Sequence, residues 1–253
     1  MSNLQTIKIN DKYLNKLLPE GFPYPSSTLI SGPGGTGKPL VEFAFVASWL
    51  RHGGSVIAMP LQYPTMEFVK TTMNKLYNLD LENYYKKIAY IQFDPSIKEY
   101  KKLGNNILKA NLLKYETWNK TIEIAETMVE KSNMGILVFG AALNLLLFSP
   151  TYKESTIKNI ENILKNDKNK TYIFSVSTSV FADKIKIWEN AADNLLFTRM
   201  EKEMKLFLEI SKMLEVKFLK KETQVSISKE MFKEIKSIAE TTRKKIIPII
   251  RKV

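Results

Sequence analysis

Ser27-Thr-Leu-Ile-Ser31, running straight into Gly32-Pro-Gly-Gly-Thr-Gly-Lys38-Pro39, is the stretch on which the fold turns. The first five residues have the length and β-propensity of a buried strand. The next eight match the phosphate-loop pattern G-x-x-x-x-G-K-[ST] at every fixed position but the last. Residues 40–50 follow with the wide apolar face of a helix packed on a sheet. Strand, glycine loop and helix in that order let backbone N–H groups and a helix N-terminus converge on a phosphate, with Lys38 placed for its outer oxygens. Gly32, Gly34, Gly35, Thr36, Gly37, Lys38 and Pro39 are therefore the candidate nucleotide-binding residues. A glycine-rich turn of an unrelated α/β protein is the competing reading, and the length and context of the match speak against it.

Pro39 is the informative departure. A hydroxyl at that position ligates the Mg²⁺ that bridges the terminal phosphates, and proline has none. Proline also lacks the backbone N–H that would face a phosphate, and it disfavours helical dihedrals at Lys38 before it. One hydrogen bond lost to a charged group costs about 1.5–3 kcal/mol, roughly 10- to 150-fold in affinity. Proline is nevertheless sterically welcome at the start of a helix. The loop can keep its shape while losing its chemistry.

Outward from the loop, short β-rich runs alternate with helical stretches, the pattern of a mainly parallel twisted sheet with helices on both faces. Strands are expected at 55–59, 88–93, 135–139 and 171–176, with 135–139 (GILVF) central because it is short, apolar and β-branched. Helices are expected from about 64 to 77 and through most of 103–131. Short strands at 194–198, 205–211, 216–219 and 224–227 are expected to form hairpins at one edge. Ser228 would cap a last helix whose Met231, Ile235, Ile238 and Thr242 share a face until Pro248 breaks it. No repeat or low-complexity linker interrupts the chain, so one domain is expected over 1–253, with 1–26 as lead-in and 229–253 as helix and tail.

Composition narrows the function. Cysteine is absent and His52 is the single histidine, so disulfides, thiolate chemistry and cysteine or histidine metal clusters are excluded. No apolar run approaches the roughly 18 residues of a spanning helix, and MSNLQTIKIN has no signal-peptide stretch, so a cytoplasmic protein without membrane contact is expected. The net charge of +12 invites an acidic partner. Only Arg51, Arg199, Arg243 and Arg251 are arginines, however, and lysine suits solvated surfaces better than bidentate phosphate recognition. Abundant Lys, Glu and Ile fit a thermophile equally well.

The chain resembles the KaiC branch of the RecA-like ATPases. Leu17-Leu-Pro-Glu-Gly-Phe-Pro-Tyr24 is similar to that family's lead-in to its first strand, with Gly21 and Pro23 at the family's glycine and proline. Ala192-Asp-Asn-Leu-Leu-Phe-Thr198 and Ile210-Ser-Lys-Met213 look like two of its later segments. The resemblance implies a RecA-like P-loop fold, ATP as ligand, and a homo-oligomer with ATP sites between subunits. It also places catalytic glutamates after the second strand, an aspartate ending the Walker B strand, and a lysine and arginine reaching into a neighbour. At those places stand Gln62 and Tyr63, Phe139 and Gly140, and then Lys212 retained with Leu214 for the arginine. With proline at 39, every hydroxyl or acid that would serve metal and water is replaced.

The expectation is a pseudo-ATPase: ATP binding weak or absent, Mg²⁺ not expected, and a regulatory or scaffolding role toward a protein or peptide partner or its own copies. Two alternatives stay open. Residues 201–253 hold 14 basic and 8 acidic residues, which would suit nucleic acid, although Glu230, Glu234 and Glu240 are interspersed as on a solvated helix. A residual ATPase could use a displaced acid such as Glu42 or Glu67. His52 is read as a helix-end residue, and Asp183, Trp188, Glu189 and Asp193 as decorating the surface of a helix and the start of a strand. Tyr84, Tyr85, Tyr90 and Tyr100 are read as packing, of which an exposed subset would make a peptide-binding patch.

Overall fold

The computed structural model describes residues 4–63, 65–201, 204–225 and 228–253. In chain order the elements are β1 (Gln5–Ile7), α1 (Lys12–Leu17), β2 (Phe22–Tyr24), β3 (Ser27–Ser31), α2 (Lys38–Arg51), β4 (Ser55–Ala58), α3 (Met66–Tyr77), β5 (Ile88–Phe93), β6 (Tyr100–Lys102), β7 (Ile107–Ala110), α4 (Tyr115–Thr127), β8 (Ile136–Gly140), α5 (Lys153–Asn166), β9 (Thr171–Ser175), α6 (Ala182–Ala191), β10 (Asn194–Met200), β11 (Leu206–Lys212), β12 (Thr223–Val225) and α7 (Lys229–Ile250). Ten of the strands form one sheet in the order β12-β11-β10-β3-β9-β8-β4-β5-β7-β6. From β10 to β7 every pairing is parallel, while β11, β12 and β6 add antiparallel strands at the two ends. β8 lies between β9 and β4, central as its uniformly apolar sequence predicts.

Because both faces of the parallel strands are apolar, both need cover. Phe43, Val46 and Leu50 of α2 and Val69 and Met73 of α3 join one core cluster, with Phe139 and Ile173 of the sheet. Trp118 and Ile122 of α4, Ile160 and Leu164 of α5, and Ile185 and Trp188 of α6 fill the other. α7 belongs to both: Phe232, Ile235 and Ala239 lie in the first cluster and Ile250 in the second. It therefore passes over the carboxyl ends of the parallel strands, where α/β sheets place their sites. Burying Phe232 and Ile235 contributes about 1.5–3 kcal/mol each. The Ser228 hydroxyl accepts from Met231 N–H at 3.1 Å and caps the helix. Ser228→Ala should lower stability by about 1 kcal/mol, read as a lower urea midpoint at unchanged slope.

Several expectations are corrected. Residues 103–131 are not mostly helical: β7 occupies 107–110, pairing with both β5 and β6, and the helix is limited to α4. Gly104 and its asparagine neighbours punctuate the stretch, and the Asn111 amide, just after β7, donates to the Pro95 and Ile97 carbonyls of the turn between β5 and β6. Residues 216–219 form no strand; Leu219 N–H instead donates to Leu17 O. Within the lead-in, whose structure the sequence left open, β1 pairs with β2 and α1 lies between them in the chain. Pro248 sits inside α7 without breaking it. It falls in the last turn, where the helix has almost ended and one missing N–H deprives only a single carbonyl of its partner. Trp188 and Glu189 are buried rather than superficial: Trp188 donates to Ile157 O and Glu189 accepts from the Ser31 hydroxyl at 2.7 Å. Residues 64, 226 and 227, at the ends of two expected elements, lie outside the described residues.

Candidate functional site

β3 ends at Ser31 and the chain turns through Gly32 with φ +147°, where a Cβ would meet Thr198 O at 2.2 Å. Only glycine fits there. Gly37 caps α2 in the left-handed region (φ +63°), and its missing Cβ leaves room for Leu206. Thr36 ties the loop down, its hydroxyl 2.7 Å from the Thr198 hydroxyl and 2.8 Å from Pro33 O. Pro39 is the second residue of α2 and is tolerated in its first turn. The seven candidate residues 32 and 34–39 thus lie on one loop at the carboxyl end of β3.

Lys38 is almost fully buried. Its ammonium donates to Gly32 O at 2.9 Å, Pro33 O at 2.6 Å and Thr36 Oγ1 at 3.1 Å, so it is folded onto its own loop. Burial pushes its pKa down to about 7; nearby Glu42 opposes this and Arg243 adds to it. Gly34 N–H donates to Ser179 Oγ at 2.9 Å, which already engages one loop amide.

The strand ends beside the loop carry the other candidates. Gln62 is nearly buried, and its amide donates to the Tyr63 hydroxyl at 3.2 Å. Tyr63 stacks on Phe68, and its carbonyl accepts from Tyr90 OH at 2.6 Å. Phe139 at the end of β8 is fully buried with its ring 5.6 Å from that of Phe43. Gly140 packs so closely that a Cβ would meet Phe174 at 2.9 Å. Gln62 and Tyr63 line the cavity above the loop, whereas Phe139 and Gly140 do not. Lys212 is elsewhere: it pairs with Leu195, whose parallel partner on β3 is Leu29, and its ammonium lies 3.4 Å from Asn190 O.

Neither displaced acid lines that cavity. Glu67 is exposed in the first turn of α3. Glu42, one helical turn after Lys38, is wholly buried, and neither carboxyl oxygen has a hydrogen-bond partner among the described residues. Burial pushes its pKa well up, opposed only by the nearby Ser175 hydroxyl and the Lys38 charge. No group of three or more acidic or histidine side chains among the described residues could hold a metal ion. His52 caps the end of α2, its Nδ1 2.8 Å from Ser48 O.

What the sequence reading missed is the roof. α7 crosses the loop with Phe232 3.3 Å from the Cβ position of Gly37, Lys236 3.6 Å from that of Gly35, and Arg243 3.7 Å from that of Gly34. Residues 232, 236, 239 and 243 recur at helical spacing, so one stripe of α7 faces the loop along its length. That stripe carries two cations with Ala239 between them, but nothing in the local sequence says that it faces the loop. The Met231, Ile235, Ile238, Thr242 face expected from sequence is offset from it: Phe232 and Ala239 are the buried neighbours of Ile235.

No helix among the described residues is long and apolar enough to cross a membrane. No family model and no curated protein matches the sequence. The crystal structure of a KaiC-like protein, PH0186, from the hyperthermophilic archaeon Pyrococcus horikoshii OT3 is similar in fold, with a TM-score of 0.68 over 89% of this chain and 96% of that one at 17% sequence identity. The chain has the α/β architecture of a KaiC-like RecA fold: a mostly parallel central sheet flanked by helices, with antiparallel strands at its edges.

Proposed function

We propose that this protein is a RecA-type P-loop protein that does not turn over ATP and acts as a regulatory or scaffolding partner. The observation that carries the reading is the chemistry of the loop and the strand ends beside it: Pro39, Phe139 and Gly140 offer no side-chain oxygen, Gln62 offers only a neutral amide that can neither take a proton from water nor balance the charge of a metal, and Glu42 is sealed from the cavity. A general base must reach the water it activates, and a metal needs oxygen ligands beside the phosphates. These residues do not fit Mg²⁺. ATP fits poorly as well, since α7 stands over the loop and Lys38 is engaged by loop oxygens. Nucleotide binding is therefore weak or absent. Self-association through a face that includes Lys212, and a protein or peptide ligand, belong to the same reading; light scattering that shows only monomer from micromolar to near-millimolar concentration would remove the first.

The experiment is phosphate release from Mg-ATP by the wild type and by Lys38→Ala. Both should give the same background. Release that is robust in the wild type and disappears in Lys38→Ala would overturn the proposal and direct attention to Glu42 or Glu67.

A further inference from the structure

At the end of the sheet away from the glycine loop, α4 and α5 leave between them a cleft with about 250 Å³ open to the centres of water molecules. One water needs roughly 10–15 Å³ of such space. The cleft reaches the beginning of β9, where Tyr172 pairs with Ser27 at the start of β3, and it shares no residue with the cavity above the loop. Its charge runs against that of the chain. Three carboxylates line it, Glu123 and Glu126 of α4 and Asp167 after α5, against one cation, Lys170, which takes up Glu126 at 2.7 Å. Glu123 is exposed and enters no ion pair among the described residues. Asp167 accepts from the Tyr172 hydroxyl and from Asn169 N–H, neither of them a charged donor. Lys168 is taken up by Asp193, and Lys120 lies over the Tyr100 ring. Two negative charges are thus left unmatched in the cleft of a chain whose net charge is +12. At physiological ionic strength the Debye length is about 8 Å, so lysines elsewhere on the surface are screened from it.

A second observation points to an occupant. Asn159 of α5 is 8% exposed, lines the cleft, and its side-chain oxygen has no hydrogen-bond partner among the described residues. Buried amides are ordinarily met, and an N–H donor entering the cleft would meet this one. A metal ion does not suit the walls, since no group of three or more acidic or histidine side chains among the described residues could hold one. Tyr115, Trp118 and Tyr172 instead supply aromatic surface, which packs an alkyl stem and attracts an ammonium to its faces. Two dispersed negative charges with an unmet oxygen between aromatic walls match two separated ammonium groups joined by methylenes. We propose that this cleft binds a small linear alkyl diamine, its ammonium groups shared among Glu123, Asp167 and the Asn159 oxygen and its methylenes against the aromatic residues. The site is independent of the function proposed above.

The test is calorimetric titration of the full chain with 1,4-diaminobutane at low ionic strength, beside butylamine and 1,4-butanediol as singly charged and neutral comparators. The wild type should bind one diamine per chain, butylamine more weakly, and the diol not at all. Asn159→Leu should weaken the diamine by about 10-fold or more, the effect of one charged hydrogen bond, with a melting curve confirming that the variant is folded. Glu123→Gln changes an exposed position on which no packing depends, and should weaken binding by about 2- to 5-fold. Lys170→Gln releases Glu126 and should tighten binding by a similar factor. Glu209→Gln, exposed on β11 and outside the cleft, should leave it unchanged. Absence of diamine binding in the wild type, equal binding of the diol, or binding that both Glu123→Gln and Asn159→Leu leave intact overturns the site. A lysine-rich peptide that binds more tightly than the diamine overturns it as well, in favour of a protein partner.

Discussion

Glu42→Leu should make the protein more stable, by about 1–3 kcal/mol at neutral pH, although it removes an acid one helical turn from Lys38. The wild-type carboxyl is fully buried with both oxygens unpartnered, and an unmet buried polar group costs about that much. Leucine is larger by about one methylene, which the core must absorb and which sets the gain toward the low end, but it suits the helix and its surroundings, since Val41, Phe43 and Ala44 are buried too. The opposing effect is the loss of attraction to Lys38. That loss is small, because Lys38 has three oxygen acceptors of its own and a pKa near 7 that lets it shed its proton. At about 2–4 °C per kcal/mol for a chain of this size, thermal denaturation should show a rise of roughly 2–12 °C.

The pH profile separates this account from simple repacking. Folding raises the Glu42 pKa, so its contribution is fully present below the ordinary value of 4.5 and is lost as pH rises toward the folded value. Folding lowers the Lys38 pKa from 10.5 to about 7, so its contribution is present above 10.5 and lost as pH falls through about 7. The wild type should therefore lose stability from these two groups above pH 4.5 and regain some above 7. Glu42→Leu should lack the first limb and keep the second. A gap between the two proteins that stays constant from about pH 4 to 7 would mean that Glu42 is not buried as a neutral acid.

The strand and helix around the glycine loop were legible because local spacing dictates them: a phosphate loop demands β3 before it and α2 after it, and a run such as residues 135–139 has nowhere to go but the centre of a sheet. Residues 103–131 misled because the polar stripe of α4 extends visually into β7, whose pairing with β5 and β6 is a tertiary fact. Pro39, Gln62 and Tyr63 could be read one residue at a time, and all three line one cavity with Lys38. The roof could not. Arg243 lies more than two hundred positions from Gly34, and its approach depends on how α7 crosses the sheet, which no local pattern encodes. The interspersed glutamates of that helix are real, and they occupy its solvent side: Glu234 reaches Lys75 and Glu240 reaches Lys236.

Restoring single residues should repair affinity without repairing turnover. Pro39→Thr returns one backbone donor and one hydroxyl at the second position of α2, so Mg-ATP should bind about 10-fold more tightly or better. Any cost of moving α7 aside is common to both proteins and cancels in that ratio. Gln62→Glu can then be added to place a carboxylate in the cavity beside the Tyr63 hydroxyl, yet phosphate release should stay at the Lys38→Ala background, because the metal still has no acid at the end of β8. That last acid is not restorable by one substitution. Phe139→Asp removes a ring packed on Phe43 in the core and leaves a carboxyl in its place, a loss of about 3–5 kcal/mol or more and a fall of roughly 6–20 °C in melting temperature. Gly140→Asp fares no better, since its Cβ would meet Phe174 at 2.9 Å and Leu143 at 3.1 Å. The core is packed where such an aspartate would stand, so on the proposed reading the packing as well as the loop keeps an acid away from the metal. Phosphate release by Pro39→Thr alone, clearly above Lys38→Ala, would show that an acid elsewhere serves the metal and that the aromatic packing at Phe139 is incidental.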